Sequence, residues 1–323
     1  MKIFAHGDGD GVCSAALLKI LHPDAEVWFT KPASIHQYLS EVEGDVYILD
    51  IAINERFKEE IFRKLGELSK EGKKVVYIDH HPLPLQVFKS DVPVTDFVHE
   101  VGASTSELVY RYYESSFSPE LDRIALWGAI SDYCEETEFV REHASKYDRR
   151  TIYLEAGLLS QALGEADFDY KRKVVEQLSR GISPVEIEGM FDWALKANQR
   201  DKELWEYVKR NVVREGDLAI VYDIPVSSGG KAAFNALGIT GASVGICVLR
   251  KGEEMDISVR RRAGVKLNLD LLLRKIAPRF GGSGGGHEGA AGARIPVENF
   301  QAFMETLKRE ISPVLPRDIS LRR

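Results

Sequence analysis

Three short stretches of this 323-residue chain place metal-competent side chains where they could act together. His6-Gly7-Asp8-Gly9-Asp10-Gly11 sets an imidazole and two carboxylates at alternate positions, and the glycines between them let the backbone turn tightly. Asp50 follows Val46-Tyr47-Ile48-Leu49, where a carboxylate is costly to bury unless it is paired or holds a cation. Asp79-His80-His81 follows the apolar run Val75–Ile78. Adjacent histidines project differently, so one can ligate a metal while the other faces substrate. Asp132, at the end of the apolar stretch Leu121–Tyr133, is a further candidate. Each piece also has a plainer reading: an exposed acidic turn, a strand-end cap, a core histidine pair, a helix-end aspartate. Together they supply donors for two divalent ions roughly 3.5–4 Å apart with one bridging carboxylate, a pair that activates water and neutralises charge on a phosphoryl group. Carboxylates and imidazoles without thiolates suit Mn²⁺, Mg²⁺, Fe or Zn²⁺, and weigh against a purely structural zinc.

These residues need elements to bring them together. Ile3–His6, Glu26–Thr30, Val46–Ile51 and Val75–Ile78 read as buried strands. Helices are expected over Val12–Leu21 and from Asn54, as N-cap, to about Ser69. Strand and helix alternate, which predicts an α/β fold with a mainly parallel sheet. His6, Asp50 and Asp79 then fall at the C-terminal ends of strands, the edge at which open α/β sheets bind ligands. Ser104-Thr105 could cap a helix and face the metal cleft, although capping alone explains it. From about Ser118 to Lys209 the pattern is helical, with Ser183 as an N-cap and Pro184 at a first helical position. Pro184–Val212, rich in charge, fits a connector. Beyond Gly216, strands are expected over Leu218–Tyr222, Ser243–Leu249 and Met255–Val259, and helices over Leu267–Ile276 and Val297–Ile311. The glycine-dense stretch Gly281–Gly292 encloses His287, and dense glycines let backbone N–H groups approach an anion. A flexible loop would look the same. The basic tail Pro316–Arg323 is expected to be mobile.

Composition narrows the classes. Hydrophobic residues make up 44% and charged residues 29%, ordinary for a globular protein and against wholesale disorder. The net charge of −7 argues against extensive coating of duplex DNA, though not against a nuclease with a local basic cleft. Cys13, Cys134 and Cys247 lie far apart, form no Cys-x-x-Cys pair, and read as small buried apolar residues. No apolar run is long enough to span a bilayer, and the N-terminus is too short in its apolar part for a secretory signal, so a cytoplasmic location without membrane contact is expected. Neither a Gly-x-x-x-x-Gly-Lys-Ser/Thr loop nor a Gly-x-Ser-x-Gly elbow is present.

His-x-Asp-x-Asp-Gly, a strand-end aspartate, Asp-His-His and a later aspartate, in this order, resemble the DHH phosphoesterases. Gly284-Gly285-Gly286-His287-Glu288-Gly289-Ala290-Ala291-Gly292 is similar to the signature of their DHH-associated C-terminal domain. The resemblance implies a DHH domain over residues 1–185, a helical connector over 186–213 and a smaller α/β substrate-binding domain over 214–323. It implies that His6, Asp8 and Asp50 hold one metal ion and that Asp10, Asp50, His80 and Asp132 hold the other. His81 would contact the scissile phosphate or the attacking water, and Asp79 would orient a histidine. Arg260, Gly284, Gly285, Gly286 and His287 would bind substrate, with Arg261 and Arg262 either extending the basic patch or merely solvated. The two-domain length is similar to that of small archaeal RecJ-like exonucleases. The expected activity is therefore single-strand exonuclease digestion, 3′→5′, with two Mn²⁺ or Mg²⁺ ions. Single-stranded DNA or RNA is the expected partner, with a DNA helicase or a replication or repair factor as a protein partner. Oligoribonuclease or cyclic-dinucleotide phosphodiesterase activity is the alternative, and a non-catalytic binding subunit a third reading.

Overall fold

The computed structural model describes residues 1–225 and 228–312, so the tail Pro316–Arg323 lies outside the described residues. The chain divides into a unit over Met1–Asn198 and a second from Gln199. The first opens with β1 (Lys2–Ala5), α1 (Gly9–Leu21), β2 (Glu26–Phe29), the short α2 (Ile35–Tyr38), β3 (Val46–Leu49), α3 (Lys58–Lys70), β4 (Val75–Asp79) and β5 (Asp96–His99). Helices then follow without interruption by strands: α4 (Thr105–Tyr112), α5 (Asp122–Ser131), α6 (Glu138–Ala144), α7 (Arg149–Glu165), α8 (Phe168–Ser179) and α9 (Met190–Asn211).

The five strands form a wholly parallel sheet in the order β2-β1-β3-β4-β5. Both faces are covered, as the continuous apolar runs require. Ile3, Ala5, Tyr47, Leu49, Val76 and Ile78 point into one core with residues of α1, α5 and α7. Their alternates Phe4, Val46, Ile48, Val75 and Tyr77 point into another with Ile61 and Leu65 of α3. Register does the positioning. Ala5 pairs with Leu49, and Leu49 with Ile78, so the next residues, His6, Asp50 and Asp79, stand side by side at the strand ends.

The second unit contains β6 (Val213–Glu215), β7 (Leu218–Tyr222), α10 (Gly229–Thr240), β8 (Val244–Lys251), β9 (Glu254–Arg261), α11 (Leu269–Ile276), β10 (Ser283–Gly286), β11 (Ala290–Pro296) and α12 (Phe300–Ile311). Its mixed sheet runs β10-β11-β9-β8-β7-β6, with β7 and β8 parallel and joined through α10. One face packs on α11 and α12 through Leu273, Ile276, Phe303 and Leu307. The other packs on α10 and the last turns of α9 through Ala232, Ala236, Leu204 and Val208. The expected α/β class with a mainly parallel N-terminal sheet and a smaller α/β second domain is what the chain adopts.

Several boundaries differ from expectation for identifiable reasons. α1 begins at Gly9 rather than Val12, because Asp8 is its N-cap and accepts the Gly11 N–H at 3.1 Å. Asn54 caps a short 3₁₀ turn, Glu55–Phe57, that leads into α3. Ser183-Pro184 opens only a 3₁₀ turn, Pro184–Glu186, closed by a capping box with Glu186, and the helix proper waits until Met190. The glycine-dense stretch is not a loop but the β10–β11 hairpin. Val297–Asn299 is a 3₁₀ turn before α12. No helix among the described residues is long and apolar enough to cross a membrane.

Candidate metal centre

Asp50 stands at the middle of the sheet edge with φ of +59°, a left-handed conformation uncommon outside glycine, asparagine and aspartate. Its N–H still donates to the Ile78 carbonyl at 3.1 Å, so the chain turns immediately after the last ladder bond and aims the carboxylate across the strand ends. Asp50 is 2% exposed. Its Oδ1 lies 3.3 Å from His80 Nε2 and 3.9 Å from His81 Nδ1, and its Oδ2 lies 3.9 Å from His6 Nδ1. Three groups of potential ligand atoms, each within 4.8 Å of one another, share this carboxylate: His6–Asp8–Asp50, Asp10–Asp50–His80 and Asp50–Asp79–His81.

The neighbours are fixed by the elements that carry them. Asp8 caps α1 with one oxygen and meets His6 Nδ1 with the other at 2.6 Å. Gly11 follows because a Cβ there would stand 2.2 Å from the His6 carbonyl oxygen. Asp10, in the first turn of α1, accepts the Thr105 N–H at 2.7 Å and the Ser106 N–H at 2.8 Å. The N-terminus of α4 thus holds this carboxylate, which suits the positive end of a helix. Gly128 in α5 makes room, since a Cβ there would lie 2.2 Å from Ser106 Oγ and 2.9 Å from Asp10 Oδ1. Asp132, the C-cap of α5, brings Oδ2 to 3.3 Å from His80 Nε2. Asp79 is set back, buried, and hydrogen-bonded to His81 Nδ1 at 2.8 Å.

All eight candidates of this unit therefore converge. The electrostatics show what the cluster needs. Burial, together with the charges of Asp8, Asp10 and Asp132, pushes the Asp50 carboxyl well above the usual range. Burial and the Asp10 charge raise Asp132 to about 6. Burial also raises Asp10. Burial alone would lower His81, but the Asp79 carboxylate and its hydrogen bond lift it to about 9. So many buried carboxylates repel one another until cations sit among them, and the oxygen-and-imidazole donor set fits Mn²⁺ or Mg²⁺.

Sequence reasoning missed several contributors. Thr105 does more than begin a capped helix: Ser104 is the N-cap, accepting the Glu107 N–H at 3.1 Å, while Thr105 Oγ1 donates to Asp50 Oδ1 at 3.3 Å. Lys171, on the buried side of α8, donates to the Gly7 carbonyl at 2.5 Å, and burial lowers its pKa. His99 ends β5 and donates from Nε2 to the His81 carbonyl at 2.6 Å. Cys134 corrects the reading of three buried apolar cysteines. Cys13 and Cys247 are buried, but Cys134 is part-exposed, with Sγ 3.7 Å from His80 Nδ1 and 3.6 Å from Asp132 Oδ2.

In the second unit, Arg260 lies on β9, half-buried, donating to the Val259 carbonyl at 3.0 Å. Burial lowers its pKa, and no carboxylate pairs with it among the described residues. Gly284, Gly285 and Gly286 form the edge strand β10, and His287 closes the hairpin with its N–H on the Ala290 carbonyl at 2.8 Å. The expectation of three amides available to an anion needs correction at Gly286, whose N–H donates to Asp270 Oδ1 at 2.8 Å. Arg261 is tied to Glu288 at 2.7 Å, and Arg262 donates to the Leu237 carbonyl at 3.4 Å. Neither simply extends a free basic patch.

Comparison with known proteins agrees with this architecture. The N-terminal domain of the DHH family matches residues 1–129, and the DHHA1 domain matches residues 217–312. The chain thus carries a DHH N-terminal domain followed by a DHHA1 domain, and members of the DHH family are phosphoesterases or hydrolases acting on phosphodiester or phosphoanhydride bonds. An uncharacterized protein of Methanocaldococcus jannaschii is 25% identical over 274 residues, 83% of this chain and 72% of that protein. RecJ of Thermus thermophilus, solved in complex with Mn²⁺, superposes with a TM-score of 0.69 at 17% identity over 98% of this chain, which spans only 52% of RecJ. A pGpG-specific phosphodiesterase, PggH from Vibrio cholerae, superposes with a TM-score of 0.56 at 13% identity, covering 97% of this chain and 99% of that one. These structural likenesses establish a shared fold.

Proposed function

We propose that this protein is a metal-dependent exonuclease on single-stranded nucleic acid that releases nucleoside 5′-monophosphates, working 3′→5′. The observation that carries the reading is the convergence of His6, Asp8, Asp10, His80, His81 and Asp132 around Asp50. His6, Asp8 and Asp50 would hold one divalent ion, and Asp10, Asp50, His80 and Asp132 a second, Mn²⁺ or Mg²⁺. Bound there, the two ions would supply an activated water and neutralise charge on the phosphoryl group. Asp79 holds His81 through Nδ1, so His81 presents its Nε2 side and carries positive charge toward a phosphate. His99 fixes the backbone of that histidine from behind, and the α4 amides fix Asp10. Arg260, a half-buried cation with no carboxylate partner among the described residues, would take a phosphate of the strand, alongside Gly284, Gly285 and His287.

The alternative, an oligoribonuclease or cyclic-dinucleotide phosphodiesterase, draws support from the fold shared with the pGpG-specific phosphodiesterase. Digestion with Mn²⁺ of single strands labelled at either end, across lengths, separates the two. Loss of the 3′ label first, with strands of ~20 nucleotides degraded as readily as dimers, is expected. Strong preference for dimers favours the alternative, and first release of the 5′ mononucleotide contradicts the polarity. DNA repair or replication, with a helicase as partner, is the setting this activity fits.

A further inference from the structure

The second unit carries an exposed aromatic track beside Arg260. One face of α10 enters the core through Ala232, Ala233, Ala236 and Leu237. Another presents Gly230, Phe234 and Gly238 at four-residue spacing, one above the other. At its start a Cβ on Gly230 would stand 2.3 Å from Arg260 Nη2, so the guanidinium lies directly on the helix backbone. At its end the Gly238 position faces the indole of Trp205, whose Cη2 would be 3.8 Å from a Cβ there. Phe234 stands between with 65% of its surface exposed, and Trp205 is 42% exposed.

Isolated exposed aromatics need no explanation. These two differ from such cases in their surroundings. A helical side chain leans toward the turn that precedes it, so Phe234 leans toward the Gly230 end of the stripe, where Arg260 rests. Glycine on both sides removes the neighbours that would otherwise screen the ring. Gly238 lies eight residues beyond Gly230, about 12 Å along the helix, against ~3.4 Å of axis per nucleotide in a stacked strand. A cation suited to a phosphate therefore sits at one end of a stripe that carries Phe234 and faces Trp205, two exposed aromatic side chains suited to bases.

We propose that this face is a base-stacking track: a backbone phosphate of a single-stranded nucleic acid rests on Arg260 while neighbouring bases lie on Phe234 and Trp205. The inference rests on the phosphodiesterase reading and deepens it, because it makes bases, and not phosphate alone, what this domain recognises. Every base has a π-face, so the track tolerates any sequence.

The test is binding of the full-length protein, in EDTA so that no turnover occurs, to a fluorescein-labelled oligo-dT and to an abasic strand of equal length, read by anisotropy. Wild-type protein is expected to prefer the base-bearing strand. Phe234→Ala and Trp205→Ala should each weaken oligo-dT binding by roughly 5- to 100-fold, the worth of one stacked base, with little change for the abasic strand. Phe234→Tyr should retain wild-type affinity. Gly238→Leu, which deletes no ring but crowds Trp205, should give the same selective loss. Equal wild-type affinity for both strands, no binding to either, unchanged binding in the alanine variants, or parallel loss on both strands would each overturn the track. If the track holds and the wild-type protein with Mn²⁺ cleaves neither strand, the hydrolase reading fails and the binding proposal survives.

Discussion

At the scale of the residue, the site depends on side chains that touch no candidate ligand position themselves. Lys171 is the clearest. Its ammonium reaches from α8 to the Gly7 carbonyl, inside the turn that carries His6 and Asp8. A lysine at this depth is tolerated because it has that acceptor and the Asp8 charge nearby. Lys171→Met should keep the fold, since it sits beside Val174, Val175 and Leu178 on the packed side of α8. It should weaken Mn²⁺ affinity by about 10- to 100-fold, the usual effect of losing a residue that orients ligands. Titration of Mn²⁺ by calorimetry checks this, and unchanged affinity would show the contact to be only structural. The residue was open to sequence reasoning, because Lys171, Val174, Val175 and Leu178 follow a helical core period in which a lysine is out of place. His99 was not. It ends a four-residue strand whose other residues are half-buried, so no apolar run announces it. Cys134 looked like the other cysteines because nothing local shows that the chain turns back past His80.

At the scale of the element, β1, β3 and β4 were legible because both their faces are buried, which writes continuous apolar runs. Their parallel register then set His6, Asp50 and Asp79 in a row without further information. The start of α1 was not legible. Glycine, aspartate and glycine read as a turn, whereas Asp8 caps a helix and tight contacts, not flexibility, demand the glycine at position 11. The β10–β11 hairpin was hidden in the same way by its glycines, and β10 takes its shape from β11 rather than from its own propensity. The α4–α5 contact offers a direct test. Alanine favours a helix over glycine by about 1 kcal/mol, yet at Gly128 its Cβ would meet Ser106 Oγ and Asp10 Oδ1. Gly128→Ala should therefore lower the melting temperature and weaken Mn²⁺ binding, as thermal melts with and without metal will show. A stabilised protein with wild-type affinity would mean that α5 moves freely past α4.

At the scale of the whole molecule, the buried acids couple stability to metal and pH. Asp50 and Asp132 have raised pKa values, so each binds a proton more readily folded than unfolded, and its penalty fades as pH falls through the folded value, about 6 for Asp132. His81, raised to about 9, contributes stability that is complete below its ordinary value of 6.5 and is lost as pH rises through 9. Both signs agree: in chelator, the melting temperature should rise as pH falls from about 9 toward 6. Saturating Mn²⁺ should raise it most at the alkaline end, where the ligands are already deprotonated; at 100 times the dissociation constant one site adds about 2.7 kcal/mol of stability. Melts across that range in EDTA and in Mn²⁺ check both slopes, and coincident curves would argue that no ion binds this cluster. The domain pair was legible from two motifs in order, while the exact substrate was not, because a cluster of carboxylates and histidines that could hold metal ions suits phosphoester hydrolysis generally.

The central claim is that a carboxylate at position 50 organises a hydrolytic metal centre for nucleic-acid strands. Its most direct test is Mn²⁺-dependent hydrolysis of a labelled single strand by wild-type protein and by Asp50→Asn, which keeps the side-chain shape and tolerates the left-handed backbone. The account predicts nucleoside 5′-monophosphate release by the wild-type protein and a loss of more than about 100-fold in the variant, beyond the effect of removing a merely orienting group. Hydrolysis at the wild-type rate by Asp50→Asn would contradict it.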